Sequence, residues 1–196
     1  MYKHLGSVTS ISTAVVFRDK APQESDVGNV RALAIRDVVA SKPVRPMELP
    51  RVWVDPKYLG NQLIPGDVVI PSRGDHYRAW HFDGADEPVL PIGQLNVLRA
   101  RPAELNPYYL AWFLNQQATQ AKLQALLTGS NIKALTKVAL SRLEIQVPAR
   151  AKQEQIADLH RTTERIAHVR HRLNELDRLE TAEVTYQLLR QGGAHA

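Results

Sequence analysis

A chain of 196 residues with 25 Lys and Arg against 20 Asp and Glu has room for one substantial core plus an appendage, and its formal charge of +5 suits a partner that carries phosphates. The absence of cysteine excludes disulfides and thiolate metal sites. No apolar run approaches the roughly 20 residues that span a bilayer, and MYKHLGSVTS lacks a signal-peptide core, so a cytoplasmic protein with no membrane partner is expected.

Pro148 separates two zones. Residues 1–148 hold all 12 prolines and all three tryptophans, and read as short strands with turns. Val30–Val39 (VRALAIRDVV) is β-rich and predicts a strand, followed by a loop with Pro43, Pro46 and Pro50. Arg51–Val54 is another short strand. In IPGDVVIPSRG a turn at Pro65–Asp67 leads to a strand at Val68–Ile70, which Pro71 and Gly74 end. Ala79–Phe82 and Val89–Leu98 follow, the second alternating Leu95 and Val97 with Asn96.

Asn106 is a good helix N-cap with Pro107 at the first helical position. Leu110, Phe113, Leu114, Ala118, Ala121 and Leu123 predict one amphipathic helix ending near Gly129. A short helix through Ile132, Leu135 and Val138 leads to a strand at Leu143–Val147. From Ala151 to Arg190 the pattern is one helix without Pro or Gly, about 60 Å long. Leu159, Ile166, Val169, Leu173 and Leu176 fit an a/d repeat broken at Thr162 or Thr163, so this helix requires a partner helix. From Arg150 to Arg190 eight bases face seven acids, which leaves most of the positive excess in the first zone. Residues 149–190 are thus expected to be a spacer or dimerisation helix, and residues 191–196 a flexible tail.

No catalytic constellation stands out. Asn106-Pro107-Tyr108-Tyr109 is similar to the Asn-Pro-Pro-Tyr/Phe motif of adenine-N6 methyltransferases. It lacks the second proline, a preceding apolar strand and a glycine-rich cofactor loop, so a helix start is the better reading. His168 and His171, with His160 eight residues earlier, read as a solvated polar face rather than a metal site. Asp67 and Glu87 form no nuclease arrangement. No catalytic residue, metal or cofactor is expected. Ser72-Arg73-Gly74 and Ser130-Asn131-Ile132-Lys133 differ, because each sets a cation beside small hydrogen-bonding groups. Arg forks to guanine, Asn pairs with adenine, and Ser and Lys suit phosphates. Arg73, Arg78, Ser130, Asn131 and Lys133 are therefore candidates for DNA contact, although each turn alone also reads as a solvated turn.

In order, these stretches resemble the specificity subunit of type I restriction–modification systems. KHLGSVTSIST and VRALAIRDVV resemble the start of a target recognition domain, and LIPGDVVIPSRG its Pro-Gly-Asp element. LNPYYLAWFLN resembles the helix that follows, and TGSNIKALTKVALSRLEIQVP the closing element. QEQIADL resembles the start of the spacer helix. Ala149 stands where the family has a second proline, and the chain shows one recognition domain and one spacer helix where full subunits have two of each. The resemblance implies an α+β fold, with a β-rich recognition domain, packed helices and a long C-terminal coiled-coil-like helix. It implies a non-enzymatic half subunit that directs an adenine methyltransferase to a bipartite site on double-stranded DNA, as a homodimer through residues 151–190. S-adenosylmethionine would belong to the methyltransferase subunit, and a motor–nuclease restriction subunit is a further implied partner. The alternative is a protein–protein adaptor of a phage-defence system that keeps the scaffold without reading DNA.

Overall fold

The computed structural model describes residues 1–17, 22–40, 42–128 and 133–192. The expected α+β architecture with a long C-terminal helix is observed. Strand β1 (Tyr2–His4), helix α1 (Leu5–Val8) and strand β2 (Thr9–Thr13) open the chain. β3 (Val30–Leu33), α2 (Ile35–Val39), β4 (Arg51–Val52), β5 (Asp67–Pro71), β6 (Trp80–His81), β7 (Val89–Pro91) and β8 (Leu95–Ala100) follow. Then come α3 (Pro107–Leu114), α4 (Gln117–Ala125), α5 (Lys137–Ser141), β9 (Glu144–Gln146) and α6 (Arg150–Gly192). The strands form an antiparallel sheet β2-β8-β5-β6, a mixed sheet β4-β3-β7 and the ribbon β1-β9.

The four-stranded sheet is buried on both faces. Val68, Ile70, Leu98 and Ala100 meet Leu5, Leu110, Leu114, Leu123 and Leu140 of the helices. Val69, Leu95 and Val97 meet Leu33, Val38 and Phe82 on the other side. At Gly6 the helices α1 and α5 approach so closely that a Cβ would lie 2.9 Å from that of Ser141. That contact accounts for the glycine in KHLGS, since a larger residue would force the two helices apart.

Four sequence expectations are corrected by local or tertiary constraints. Val30–Val39 is strand only to Leu33, because the Asp37 carboxylate accepts from Ala34 N at 2.8 Å and starts α2. Val89–Leu98 breaks where Gly93 takes φ +75°, and the chain passes from the mixed sheet into the antiparallel one. The single helix from Pro107 becomes α3 and α4, since Asn115 ends the first and Gln116 is extended. α4 ends at Ala125, and the short helix α5 starts after Leu135 with Thr136 as its cap, whose hydroxyl accepts from Ala139 N. Gly129 and Ile132 lie outside the described residues.

The chain forms two compact units, Met1–His160 and Arg161 onward. The first extends past the division drawn at Pro148 because Gln153 and Ala157, in the first turns of α6, are buried. Gln153 Oε1 accepts from Asn106 N at 2.8 Å, and Nε2 donates to Glu104 O and Pro148 O at 3.1 and 3.0 Å. Replacing Gln153 with leucine strands three part-buried backbone groups, so urea unfolding should show a loss of about 1–3 kcal/mol.

The mixed sheet is clamped by Glu87, which accepts from Arg31 Nε at 2.9 Å and Arg51 Nε at 2.8 Å. The Arg51 hydrogen bonds first, then those of Arg31, hold the Glu87 carboxyl at about 2, well below its ordinary 4.5. Because the folded value is depressed, the clamp stabilises fully above pH 4.5 and fades as pH falls toward 2. Glu87→Gln should therefore flatten the acid limb of stability across that window, as read by denaturation at stepped pH.

Candidate nucleic-acid interface

β5 delivers the chain to a surface segment, Ser72–Ala79. The turn before it depends on Asp67, a fully buried carboxylate that accepts from Ile64 N at 2.9 Å. Asp67 also accepts both arms of the Arg99 fork at 2.8 Å, across the β5–β8 pair. Beyond β5, Arg73 is exposed and bridges Ala134 antiparallel, while Leu135 N donates to Ser72 O at 2.9 Å. Ala134 also exchanges both backbone hydrogen bonds with Thr128. Two segments about sixty positions apart in sequence thus run side by side.

This arrangement brings Arg73 beside the segment that carries exposed Lys133. Arg78 is exposed on the same surface segment as Arg73. Ser130 and Asn131 lie outside the described residues. Nearby, Asn96 alternates with Leu95 and Val97 as expected; it is itself buried, and its Nδ2 donates to Leu135 O at 2.9 Å, fixing the second segment. A polar residue within the apolar run of β8 was the available signal.

Asn115, Gln120 and Gln124, all within the helix expected from Pro107, have a further role. Asn115 pairs both backbone groups of Ala79, at 2.8 and 2.9 Å. Gln120 Nε2 donates to Tyr77 O at 2.9 Å, and Gln124 Nε2 to Asp75 O at 3.3 Å. Their signal is a density of amides in NQQATQAKLQ that helix formation alone does not require.

The residues that invited a catalytic reading have structural work. Asn106 Oδ1 accepts from Tyr108 N and Tyr109 N at 2.9 and 3.2 Å, the geometry of a helix cap. Tyr108 stacks on His81 with ring centroids 3.7 Å apart, and the buried Tyr109 hydroxyl donates to Gln146 O at 2.6 Å. Burial raises the Tyr109 phenol above its ordinary value. Among the described residues no group of three His, Cys, Asp or Glu could hold a metal. His171 lies 3.4 Å from Glu175 on its own helix.

On α6, Leu159, Ile166, Val169, Leu173 and Leu176 are 45–70% exposed, an apolar stripe open along the helix. Among the described residues no helix is long and apolar enough to cross a membrane.

No curated protein matches the chain. Among solved structures it is similar to the type I restriction–modification S subunit from M. genitalium, at 14% identity and a TM-score of 0.55, covering 81% of this chain and 37% of that one. It is similar to the HsdS subunit from Thermoanaerobacter tengcongensis, at 19% identity and TM-score 0.58, covering 87% and 39%. A third similar structure is described as showing complex assembly and conformational transition of the type I R-M system, at 20% identity and TM-score 0.58, covering 93% and 44%. The chain therefore spans about two fifths of the length of these proteins, and at such identities they show a shared fold. The family profile described as "Type I restriction modification DNA specificity domain" matches residues 59–178, from the turn before β5 into α6. With well over half its length matched, the chain belongs to the family of type I restriction modification DNA specificity domains.

Proposed function

We propose that this chain is a non-catalytic, sequence-specific DNA reader of a type I-like restriction–modification system in the cytoplasm. Residues 1–148 form the reader and residues 149–190 the spacer helix. It directs an adenine methyltransferase subunit, which carries S-adenosylmethionine, to a bipartite site on double-stranded DNA. A motor–nuclease restriction subunit joins the same assembly. The observation that carries this reading is the convergence of Arg73 and Lys133 on one exposed surface of a specificity-domain fold. It is supported by the structural roles of Asn106, Asp67 and Glu87, which leave the chemistry to a partner.

The exposed stripe on α6 accommodates a second copy of this chain. Residues 161–172 carry Arg161, Arg165, Arg170 and Arg172 against Glu164, whereas residues 173–183 carry Glu175, Asp177, Glu180 and Glu183 against Arg178. An antiparallel pair sets the basic stretch of each helix against the acidic stretch of the other, and a parallel pair sets like on like. Two identical readers related by a two-fold axis recognise an interrupted palindrome.

Replacing Arg73 with alanine in the complex with the methyltransferase should cost about 1–3 kcal/mol on the recognised site and relax preference at one base position. A gel-shift series over single-position variants reads this. Uniform, salt-sensitive binding to every duplex by the unaltered complex would favour the adaptor instead. Light scattering should give a dimer mass that falls to the monomer mass when Leu173 and Leu176 are both changed to glutamate. An unaltered chain that runs as a monomer with and without the methyltransferase would remove the paired helix.

A further inference from the structure

The backbone of Ser72–Ala79 leaves β5 and, among the described residues, has no neighbouring strand along most of its length, yet its polar groups require partners. Side-chain amides supply them. The carbonyls of Asp75, Tyr77 and Ala79, at alternate positions, accept from Gln124, Gln120 and Asn115. Asn115 Oδ1 also takes Ala79 N, so one side chain reproduces both bonds of a strand pair. At the other end the segment is tied through Ser72 O to Leu135 N, whose own carbonyl is held by Asn96. Gln120 Nε2 reaches Leu114 O as well, at 2.7 Å, which fixes this amide to the end of α3.

Exposure is continuous from Arg73 to His76 and alternates as in a strand from His76 to Ala79. Tyr77 and Ala79 are buried, and His76 and Arg78 are exposed. Two such outward positions are separated by about 6.6 Å along a strand, close to the rise of two base pairs at about 3.4 Å each. His76 presents ring nitrogens that can donate to or accept from a base edge, beside a guanidinium suited to guanine.

We propose that Ser72–Ala79 is a reading strand held by the amides of Asn115, Gln120 and Gln124, and that His76 is a specificity determinant alongside Arg73 and Arg78. His76 touches the bases, and the three amides are positioning residues that act through the strand. This rests on the DNA-reading function proposed above. It adds the element that reads, a residue that reads with it, and the groups that set its geometry.

The test uses the full chain in complex with its methyltransferase, on duplexes carrying the site found by methylome sequencing and on its single-position variants. His76→Ala should lower discrimination roughly 5- to 100-fold at one base position and leave the others unchanged. Gln124→Leu and Gln120→Leu should each lower the ratio of specific to non-specific binding tenfold or more. The salt slope and the non-specific affinity should hold, because phosphate contacts are untouched, and the thermal midpoint should hold for Gln124→Leu, whose amide bond is exposed. Gln124 is exposed, so its variant keeps the test open if Gln120→Leu folds poorly. Uniform weakening across all duplexes for His76→Ala, or no change at all, overturns its role. Amide variants that keep the specificity ratio, or that lose specific and non-specific binding in step, overturn the positioning. If Arg73→Ala shifts base preference in the same assay while these variants do not, only this inference falls. An unaltered complex that binds every duplex alike overturns both.

Discussion

The side chain of Gln153 sits at the junction of helix and body with almost no solvent exposure, bonded only to backbone: Asn106, Glu104 and Pro148. A buried amide in that position is costly unless all its groups are satisfied, and here they are. The constraint matters because Asn106 is itself the cap of α3. α3 ends at Asn115, which grips Ala79, and α4 carries the two glutamines that hold the rest of the surface segment. The start of the long helix and the exposed cations thus share one frame of reference, built largely from uncharged amides. Such groups keep their hydrogen bonds at any salt concentration, whereas contacts to phosphate weaken as salt rises.

Much of this was legible where the signal is local. Asn106-Pro107 marks a helix start because a cap and a fixed φ act within one turn, and they do so here. The proline-free run after Pro148 could only be a helix. Legibility ended where a distant partner decides the outcome. Nothing local to Asn115 says that its amide will close on Ala79 and end a helix whose apolar pattern continues. Nothing in Arg73 announces Ala134. The cations were readable as types, and their convergence was not, because it depends on two segments meeting through hydrogen bonds of the backbone.

The carboxylates show how charge count and charge availability differ. Arg31 and Arg51 are held by Glu87, and Arg99 by Asp67, in forked geometry that competes well with an outside anion. The surplus positive charge that the composition advertises therefore resides elsewhere, and exposed side chains such as Arg73 and Lys133 carry it. A formal charge of +5 understates how selectively that surplus is placed.

The ribbon β1-β9 joins the first strand of the body to its last, with Val147 N donating to Met1 O at 2.8 Å just before α6 begins. Both ends of the body therefore emerge at one point. A domain whose ends are hydrogen-bonded neighbours can be exchanged as a cassette, since any replacement with the same end spacing fits the same helix. New surface segments could then be acquired wholesale, by recombination at the ribbon, while the helix and whatever it engages stay as they are. Among the described residues, this two-stranded ribbon is in that sense the seam at which the body could be exchanged.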